Sequence, residues 1–368
     1  MKRISILVWI LCACFVSVAW GQKNGWSEFH RPDMMRWNPY EKVLNVNNVG
    51  SLQLLWSYPT SGGVYASPAV ANEVVYIGSV ADYFEGAVYA LNASTGALLW
   101  SYNTGEEYSS PAVAKGVVYV GGGSNVYALN ASTGALLWSY ATGGTIDSSP
   151  AVRNGVVYVG SSDDNVYALD ASTGAKLWSY TTGYIVYSSP AVANGVVYVG
   201  SIDSNVYALN ACTGALLWSY GTGNYVWSSP AVTRGGVVYV GGGSNVYALN
   251  ASTDALLWSY TTGGSVNSSP AVANGVVYSS GGGNMYALKA STGALLWSSA
   301  AGGTSPAVAN GVIYVSSGDD NVYALDASTG ATLWSYDTGF SVDGSPVVVN
   351  GVVYVGSPLE VFYAFGLK

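Results

Sequence analysis

A single short pattern recurs along most of the chain and limits what the chain can fold into. Its clearest copy, residues 90–100, reads Ala-Leu-Asn-Ala-Ser-Thr-Gly-Ala-Leu-Leu-Trp, and further copies follow at intervals of about 40 residues. A period of this length indicates one supersecondary unit that is repeated and stacked against its neighbours. The tryptophans that close the copies, the first of them degenerate, are Trp56, Trp100, Trp138, Trp178, Trp218, Trp258, Trp297 and Trp334.

Each repeat predicts four short strands. In the copy that starts with Ser149-Pro150, apolar or β-branched runs lie at 151–152, 156–159, 166–169 and 177–180, and turn residues separate them. Runs of this length and composition are typical of strands, and no stretch keeps a helical period long enough for a helix. Four antiparallel strands in about 40 residues form one blade of a β-propeller.

The proline and the tryptophan of each repeat predict which strand is innermost and which is outermost. Proline lacks an amide donor, so the Ser-Pro strand is expected at an edge, bordering the central channel. The tryptophan then lies on the outermost strand, where its ring docks against the next blade. Burying one such ring removes roughly 150–250 Å² from water, which contributes about 4–6 kcal/mol before entropy is subtracted.

The repeated pattern, Ala-x-Asn/Asp-x-x-Thr-Gly-x-x-x-Trp, resembles the tryptophan-docking motif of pyrroloquinoline-quinone-type (PQQ-type) propeller repeats. Such repeats occur in quinoprotein dehydrogenases and in the propeller lipoprotein of the bacterial outer-membrane β-barrel assembly machine. The resemblance covers about residues 51–368 and implies the fold, but it does not select between these activities. The copies depart from the motif at Lys289, which replaces Asn or Asp, at Asp254, which replaces Gly, and at Cys212, which replaces Ser.

The number of repeats predicts how the ring closes. The last copy ends at its third strand, residues 361–364, whereas the tryptophan strand at 54–58 has no inner strands before it. We therefore predict an all-β, eight-bladed propeller of four-stranded antiparallel blades, closed by an N-terminal outer strand that completes the last blade. Deletion of residues 53–58 is expected to prevent stable folding. The eight inner-strand prolines are Pro68, Pro111, Pro150, Pro190, Pro230, Pro270, Pro306 and Pro346.

The first 21 residues have the pattern of a secretory signal peptide. A basic start and an apolar core precede a small-x-small cleavage site at Ala19-Trp20-Gly21. Lipoprotein anchoring at Cys14 is the alternative, although the apolar residues 15–20 follow it where polar residues are expected. The sequence thus predicts a secreted, periplasmic or envelope protein without a membrane span after signal removal.

An arm and a single propeller domain are predicted after the signal peptide. Residues 22–50 are expected to form an N-terminal arm packed on the propeller, and residues 51–368 to form the propeller itself. The arm contains His30, which is the one histidine of the chain and is expected to be a structural surface residue.

Composition and motifs exclude several functions. A net charge of −8 with few lysines argues against nucleic acids and anionic membrane surfaces as partners. One histidine outside the repeats leaves no His-based metal site and no catalytic triad within them. Gly121-Gly122-Gly123 and Asp163-Asp164 occupy hairpin positions and are interpreted as turns. No catalytic, cofactor-binding or metal-ligating residue is therefore predicted.

The family resemblance also implies which residues this chain should contain if it is a quinoprotein dehydrogenase. Those enzymes carry adjacent cysteines beside the cofactor, calcium ligands, a catalytic aspartate and long insertions between strands. The three cysteines of this chain, Cys12, Cys14 and Cys212, are not adjacent, and its blades are minimal. We therefore expect no cofactor, and a reduced PQQ-dependent dehydrogenase remains the alternative.

One repeat position varies where the others are nearly constant, three residues before each inner-strand proline. This position lies where one blade connects to the next, at one mouth of the channel, and loops on a rigid scaffold often carry recognition residues. Its aromatic, carboxylate and amide side chains predict binding of a sugar, a peptide segment or a cation; drift of exposed loop residues is the alternative. The position contains Tyr65, Tyr108, Asp147, Tyr187, Trp227, Asn267, Gly303 and Asp343.

These observations favour a non-catalytic scaffold, secreted or associated with the envelope, that binds a protein or carbohydrate partner. An extracellular surface or adhesion protein is a second alternative, beside the dehydrogenase.

Overall fold

Eight four-stranded antiparallel sheets form a closed ring, and one of them carries an additional strand. The computed structural model describes residues 25–31, 33–80, 86–105 and 108–368. The predicted signal peptide and the alternative anchor Cys14 lie outside the described residues. The eight-bladed architecture predicted from the repeats is confirmed.

The strands are numbered in chain order and grouped into blades 1 to 8. The arm contributes β1 (Trp37–Asn38) and a 3-10 helix (Val49–Ser51), and β2 (Gln53–Pro59) follows it. Blades 1 to 3 contain β3 (Ala69–Ala71), β4 (Val74–Ser79), β5 (Ala87–Asn92) and β6 (Leu98–Asn103); β7 (Ala112–Ala114), β8 (Val117–Gly122), β9 (Asn125–Asn130) and β10 (Leu136–Ala141); β11 (Ala151–Arg153), β12 (Val156–Gly160), β13 (Asn165–Asp170) and β14 (Lys176–Thr181). Blades 4 and 5 contain β15 (Ala191–Ala193), β16 (Val196–Gly200), β17 (Asn205–Asn210) and β18 (Leu216–Gly221); β19 (Ala231–Val232), β20 (Val237–Gly242), β21 (Asn245–Asn250) and β22 (Leu256–Thr261). Blades 6 to 8 contain β23 (Ala271–Ala273), β24 (Val276–Gly281), β25 (Asn284–Lys289) and β26 (Leu295–Ser299); β27 (Ala307–Ala309), β28 (Val312–Ser316), β29 (Asn321–Asp326) and β30 (Thr332–Asp337); and β31 (Val347–Val349), β32 (Val352–Ser357) and β33 (Val361–Gly366).

The ring closes through strand β2, as the repeat count predicts. β2 pairs with β33 in antiparallel register, with Gln53 opposite Gly366 and Pro59 opposite Val361. The sheet order of blade 8 is therefore β31-β32-β33-β2. This pairing satisfies the backbone groups that an open array would leave exposed along β33.

Six of the eight docking tryptophans lie against a glycine turn of the following blade. Gly96 has a φ of +70°, and a Cβ there would lie 2.6 Å from Cε3 of Trp56. Glycine is needed twice at this position, for its positive φ and for the close approach of the indole ring. The Oδ1 of Asn92 accepts the Ser94 amide at 3.0 Å and holds the same turn.

The tryptophan and a tyrosine of one blade share an acceptor on the next. Trp100 Nε1 donates to the Ala131 carbonyl at 2.9 Å, and the Tyr76 hydroxyl donates to that carbonyl at 3.2 Å. At the junction of blades 7 and 8 the acceptor changes, because Trp334 Nε1 donates to Leu52 O. There the buried Tyr314 hydroxyl has no hydrogen-bond partner among the described residues.

A belt of serines connects the blades around the channel. At seven junctions, the amide of the serine that precedes an inner-strand proline donates to the hydroxyl of the matching serine one blade on, as in Ser149 N to Ser189 Oγ at 2.9 Å. Only the proline of this dipeptide has a role that the sequence predicts. The belt runs through Ser67, Ser110, Ser149, Ser189, Ser229, Ser269, Ser305 and Ser345.

The N-terminal arm lies inside the ring, against the inner strands, and not over the outer surface. The inner strands present amides to the channel that need partners, and the arm supplies them. Val70 N donates to Trp26 O at 2.7 Å in blade 1, and Val113 N donates to Ser27 O at 2.6 Å in blade 2. Val152 N in blade 3 donates to Glu28 Oε2 at 3.2 Å.

The arm continues around the channel in the order of the blades. Val232 N of blade 5 donates to Met34 O, Val272 N of blade 6 to Met35 O, and Val308 N of blade 7 to Arg36 O. In blade 8, Asn38 Nδ2 donates to Val348 O at 2.9 Å. The described part of the arm thus contacts successive blades around the ring before it leaves the channel to become β2.

Candidate functional site

The propeller has two faces with different loops. On the first, which we call the mouth face, loops between blades meet the central hairpin turns, as shown by the Ser162 amide donating to Thr145 O. On the second, the turn face, the inner hairpins meet the Asn-Ala-Ser-Thr-Gly turns, as shown by the Ala171 amide donating to Gly155 O. The variable position identified in the sequence lies on the mouth face, directly before each inner strand.

The variable position forms two aromatic pairs between neighbouring blades at the mouth. The Tyr65 and Tyr108 rings, in blades 1 and 2, have centroids 5.7 Å apart. The Tyr187 and Trp227 rings, in blades 4 and 5, are stacked with centroids 4.7 Å apart and an interplanar angle of 6°. Tyr65, Tyr108 and Trp227 remain 38%, 46% and 44% exposed, so each pair presents an accessible aromatic surface.

The carboxylates at the same position precede the aromatic pairs. Asp343, in blade 8, is exposed and accepts the Ser341 hydroxyl at 3.2 Å. Asp147, in blade 3, is half-buried and lies near the Thr145 hydroxyl. Asn267 and Gly303, in blades 6 and 7, are exposed and complete the position around the ring.

The aspartates of the central hairpin turns are used by the fold. Asp163 accepts the Tyr167 hydroxyl at 2.6 Å and the Gly143 amide at 2.7 Å. Burial acts to raise the pKa of Asp163, but these hydrogen bonds and those from Asn165 and Ser161 outweigh it and lower the pKa. Asp319 accepts the Tyr323 hydroxyl in the same arrangement. Among the described residues, no group of His, Cys, Asp and Glu side chains is arranged to hold a metal ion.

Charge is distributed unevenly between the two faces. Within the described residues, the mouth-face loops contain no lysine or arginine, whereas the turn face has Lys115, Arg153, Arg234 and Lys289. The turn face also has carboxylates, such as Asp170 and Asp326, so its charges are mixed. The described mouth-face loops have carboxylates without basic residues, which gives this face a negative potential that attracts cations. The carboxylates of the mouth-face loops are Asp147, Asp163, Asp164, Asp203, Asp319, Asp320, Asp337, Asp343 and Glu360.

Arg36 is a buried cation whose hydrogen bonds are directed at backbone carbonyls. Its guanidinium donates to Phe29 O at 2.8 Å, to Pro306 O at 3.0 Å and to Pro346 O at 3.1 Å, and also to Ser305 O. The guanidinium carbon lies 4.6 Å from the centroid of the Phe29 ring. Burial lowers the pKa of Arg36 to about 9, so the side chain is charged at neutral pH.

The residues in the channel do not fit PQQ, the cofactor that quinoprotein dehydrogenases would imply. PQQ is a flat polycarboxylate that needs a roomy site with basic donors, but the guanidinium of Arg36 is already bound to the backbone. The void beside the arm, lined by Glu28, His30 and Met34, is too narrow to hold even a water-sized group, whereas a small ligand pocket has roughly 300 Å³. At the mouth, Asp147 and Asp343 would repel carboxylates.

His30 lies in this void, and the expectation that it is a surface residue is wrong. It is 3% exposed because the arm lies inside the channel, and its ring packs edge-on against Phe29. Burial, and then the positive charge of Arg36, lower the pKa of His30 to about 3; the nearby Ser189 backbone opposes this only weakly. Neither ring nitrogen makes a well-formed hydrogen bond with the described residues. The imidazole is therefore neutral at physiological pH.

Acidification should destabilise the protein through His30. Below about pH 6.5 the unfolded chain protonates this ring, whereas the folded chain resists protonation down to about pH 3. The unfolded state then binds more protons, so the free energy of unfolding decreases as the pH is lowered, by at most about 5 kcal/mol across the window. Urea unfolding at several pH values, with His30→Phe as the matched variant, measures this term. Equal pH slopes in the two proteins would contradict it.

The sequence analysis missed the arm's path and its buried charges. Glu28 pairs with Arg153 at 2.9 Å, and Arg31 pairs with Asp33 at 2.7 Å. One signal was available: an aromatic-rich segment with charged residues stands before the repeats without matching them. Which blade each residue contacts depends on the curvature of the ring, which the repeat period alone does not give.

Comparison with known proteins identifies the repeats. A family model described as "Outer membrane protein assembly factor BamB" matches residues 50–110, 85–224, 185–266, 221–301 and 242–364. These overlapping matches cover the eight blades. In the described residues, no helical segment has the length and apolarity needed to cross a bilayer.

Individual proteins with this fold differ in what they do. BamB from Moraxella catarrhalis has a TM-score of 0.74 at 20% identity, covering 86% of this chain and 98% of its own. A europium-containing methanol dehydrogenase has a TM-score of 0.81 at 15% identity, covering 94% and 98%. The dehydrogenase subunit of a quinone alcohol dehydrogenase from Gluconobacter oxydans (strain 621H) is 35% identical over 86 residues, which are 23% of this chain. This chain spans only 11% of that subunit, and the two structural likenesses establish the fold alone.

Proposed function

Because the chain belongs to the PQQ-type repeat family described as outer membrane protein assembly factor BamB, we propose that it is a non-catalytic binding scaffold. Its binding surface is the mouth face, and its partner is a protein. The scaffold acts outside the cytoplasm, secreted or held in the envelope, in agreement with the signal-peptide pattern of residues 1–21.

The observation that carries this proposal is the stacked pair Tyr187 and Trp227. Their rings lie parallel at 4.7 Å on an exposed loop surface, and Trp227 stays 44% exposed. Large exposed aromatic side chains are enriched among the residues that dominate binding energy at protein interfaces. The docking tryptophans, in contrast, are at most partly exposed and donate to backbone carbonyls of the next blade.

Removal of this pair should abolish binding and leave the fold intact. We expect Tyr187→Ala with Trp227→Ala to weaken partner binding by at least about a hundredfold, because interface aromatic residues each contribute about 2 kcal/mol or more. The melting temperature should change little, because neither ring is in the core. The partner is first isolated by pull-down from envelope extracts and purified. Its affinity for the unchanged protein and for the variant is then measured by titration.

The matched control is Leu216→Ala with Leu217→Ala, in the same blade as Tyr187 but at the opposite end of the outer strand. These leucines are 45% and 49% exposed, so the control removes exposed apolar area away from the mouth. Full binding by the aromatic double variant, or equal loss in the leucine variant, would contradict the proposal.

A dehydrogenase is the second candidate, and it is favoured only by the local similarity to the Gluconobacter oxydans subunit. Its test is direct. The purified protein is mixed with PQQ, calcium and a primary alcohol, and the absorbance is followed for reduction of the quinone. We expect no reduction above the rate of free PQQ, because the channel beside the arm has too little space.

A further inference from the structure

A pattern of three residues occurs twice at the mouth, in the order carboxylate, aromatic, aromatic. It becomes visible only when the ring is closed. Going around from blade 8, the first three residues are Asp343, Tyr65 and Tyr108. The next three blades repeat that order in Asp147, Tyr187 and Trp227. The first triad crosses the closure between blades 8 and 1, so its members are far apart in sequence.

In both triads the aromatic residues are in ring contact. The Tyr65–Tyr108 and Tyr187–Trp227 centroids are 5.7 and 4.7 Å apart. The Tyr65 ring packs closely on Gly63, since a Cβ there would lie 2.8 Å from Cε2 of the ring. Burial, and then the negative charge of Asp147, raise the pKa of Tyr187, which agrees with that carboxylate lying close to the second pair.

A carboxylate beside exposed aromatic faces is suited to a cationic side chain. An arginine or lysine over an aromatic face gains about 0.5–2 kcal/mol, and a hydrogen bond to a carboxylate adds to this. In the described residues, no lysine or arginine of the mouth-face loops is available to neutralise the triads from within the protein. The surrounding carboxylates would attract a basic partner and repel an acidic one.

We propose that each triad binds one arginine or lysine side chain, and that together they hold a basic peptide segment with two cationic side chains. This inference rests on the proposed function, since it assigns the partner class of the same face. The two remaining blades carry Asn267 and Gly303 at this position, so the variable position supplies two cation sites around the ring. The three-blade offset between the triads sets the spacing that a bound segment must span.

Synthetic peptides test the two-site arrangement directly. The probes are labelled peptides with two arginines separated by Gly-Ser linkers of increasing length, one peptide with a single arginine, and one with two glutamates. Linked binding at two sites raises affinity by the effective concentration of the second group, with a maximum when the linker matches the span. We expect the best two-arginine peptide to bind at least about tenfold more tightly than the one-arginine peptide, and the glutamate peptide not to bind.

Variants then assign the sites. Asp147→Asn and Asp343→Asn should each reduce two-arginine binding to the level of the one-arginine peptide, and the double variant should lose binding. Asp170→Asn, on the turn face, is the matched control and should bind as the unchanged protein does. Melting curves of all variants confirm folding. Equal binding of the one- and two-arginine peptides, or an equal loss from Asp170→Asn, would overturn the inference.

The two proposals can fail separately. If an envelope partner binds through Tyr187 and Trp227 but no basic peptide binds, the mouth is the binding surface and the cation inference is wrong. If basic peptides bind and no envelope protein does so through these aromatics, the triads are real and the scaffold function is wrong.

Discussion

Deletion of residues 53–58 is expected to abolish cooperative folding. The segment is most of β2, whose pairing with β33 runs from Gln53 opposite Gly366 to Pro59 opposite Val361. Deletion exposes the β33 edge and also removes Trp56, whose Nε1 donates to Ala93 O of blade 1 at 3.1 Å. An open eight-blade array would keep its unpaired edge and lose the blade 8 to blade 1 contact at once. Circular dichroism during heating should show no cooperative transition.

A rescue variant separates loss of closure from loss of chain length. Residues 53–58 are replaced by a Gly-Ser linker, and the sequence Asn-Ala-Ser-Thr-Gly-Ala-Leu-Leu-Trp-Ser-Tyr is added at the C-terminal end of β33. Gly366 occupies the register position of the Asn or Asp that begins this turn in the other blades, so residues 366–368 are omitted and the added sequence follows Phe365 directly. The turn can then return the added strand to the same edge. The rescue variant should regain a cooperative transition. A deletion variant that melts like the unchanged protein would show that β2 is not needed for closure.

Replacement of Arg36 by methionine should lower the free energy of unfolding by about 3–5 kcal/mol. The side chain is fully buried, and its guanidinium donates to carbonyls of blades 7 and 8 as well as of the arm. Methionine fills much of the volume but leaves these carbonyls without a donor, and each buried unsatisfied group costs about 1–3 kcal/mol. Loss of a buried charge that was expensive to desolvate offsets part of this cost. Urea unfolding measures the difference.

Arg31→Met is the matched control for Arg36. Arg31 is also buried, and its guanidinium donates within the arm to Gly25 O, Asp33 and Trp37 O. A smaller loss is expected, because these bonds do not join the arm to the blades. If the two variants are equally destabilised, the bonds from Arg36 to the blades are not what secures the arm.

Repetition explains why so much of the fold was predictable. The contact between tryptophan and glycine recurs at six junctions, so one interpretation of the motif applies to all of them. At a seventh junction, Asp254 replaces the glycine and keeps a φ of +58°. The closure could be predicted by counting strands, because the tryptophan strand with Trp56 has no inner strands before it and the last blade lacks a tryptophan strand. The buried Tyr314 hydroxyl was not predictable, because the missing acceptor arises only where the degenerate first copy meets blade 7.

The mouth residues were found because they differ between repeats, and their use as a binding surface remains a prediction. Their order was hidden in the sequence, where Asp343 stands at one end of the chain and Tyr65 near the other. His30 was misplaced for a related reason: nothing in a non-repeated segment indicates whether it passes outside a ring or through its centre. Long-range contacts of the arm depend on the closed shape, which local patterns do not specify.

The path of the arm also restricts how this protein can evolve. Ring proteins made of equal units can gain or lose a unit by duplication or deletion within the gene. Here the segment from Trp26 to Asn38 makes ordered contacts that begin at blade 1 and end at blade 8. A ninth blade would enlarge the circumference of the ring and leave that segment too short to contact the last blades. The length of the arm therefore limits the ring to eight blades.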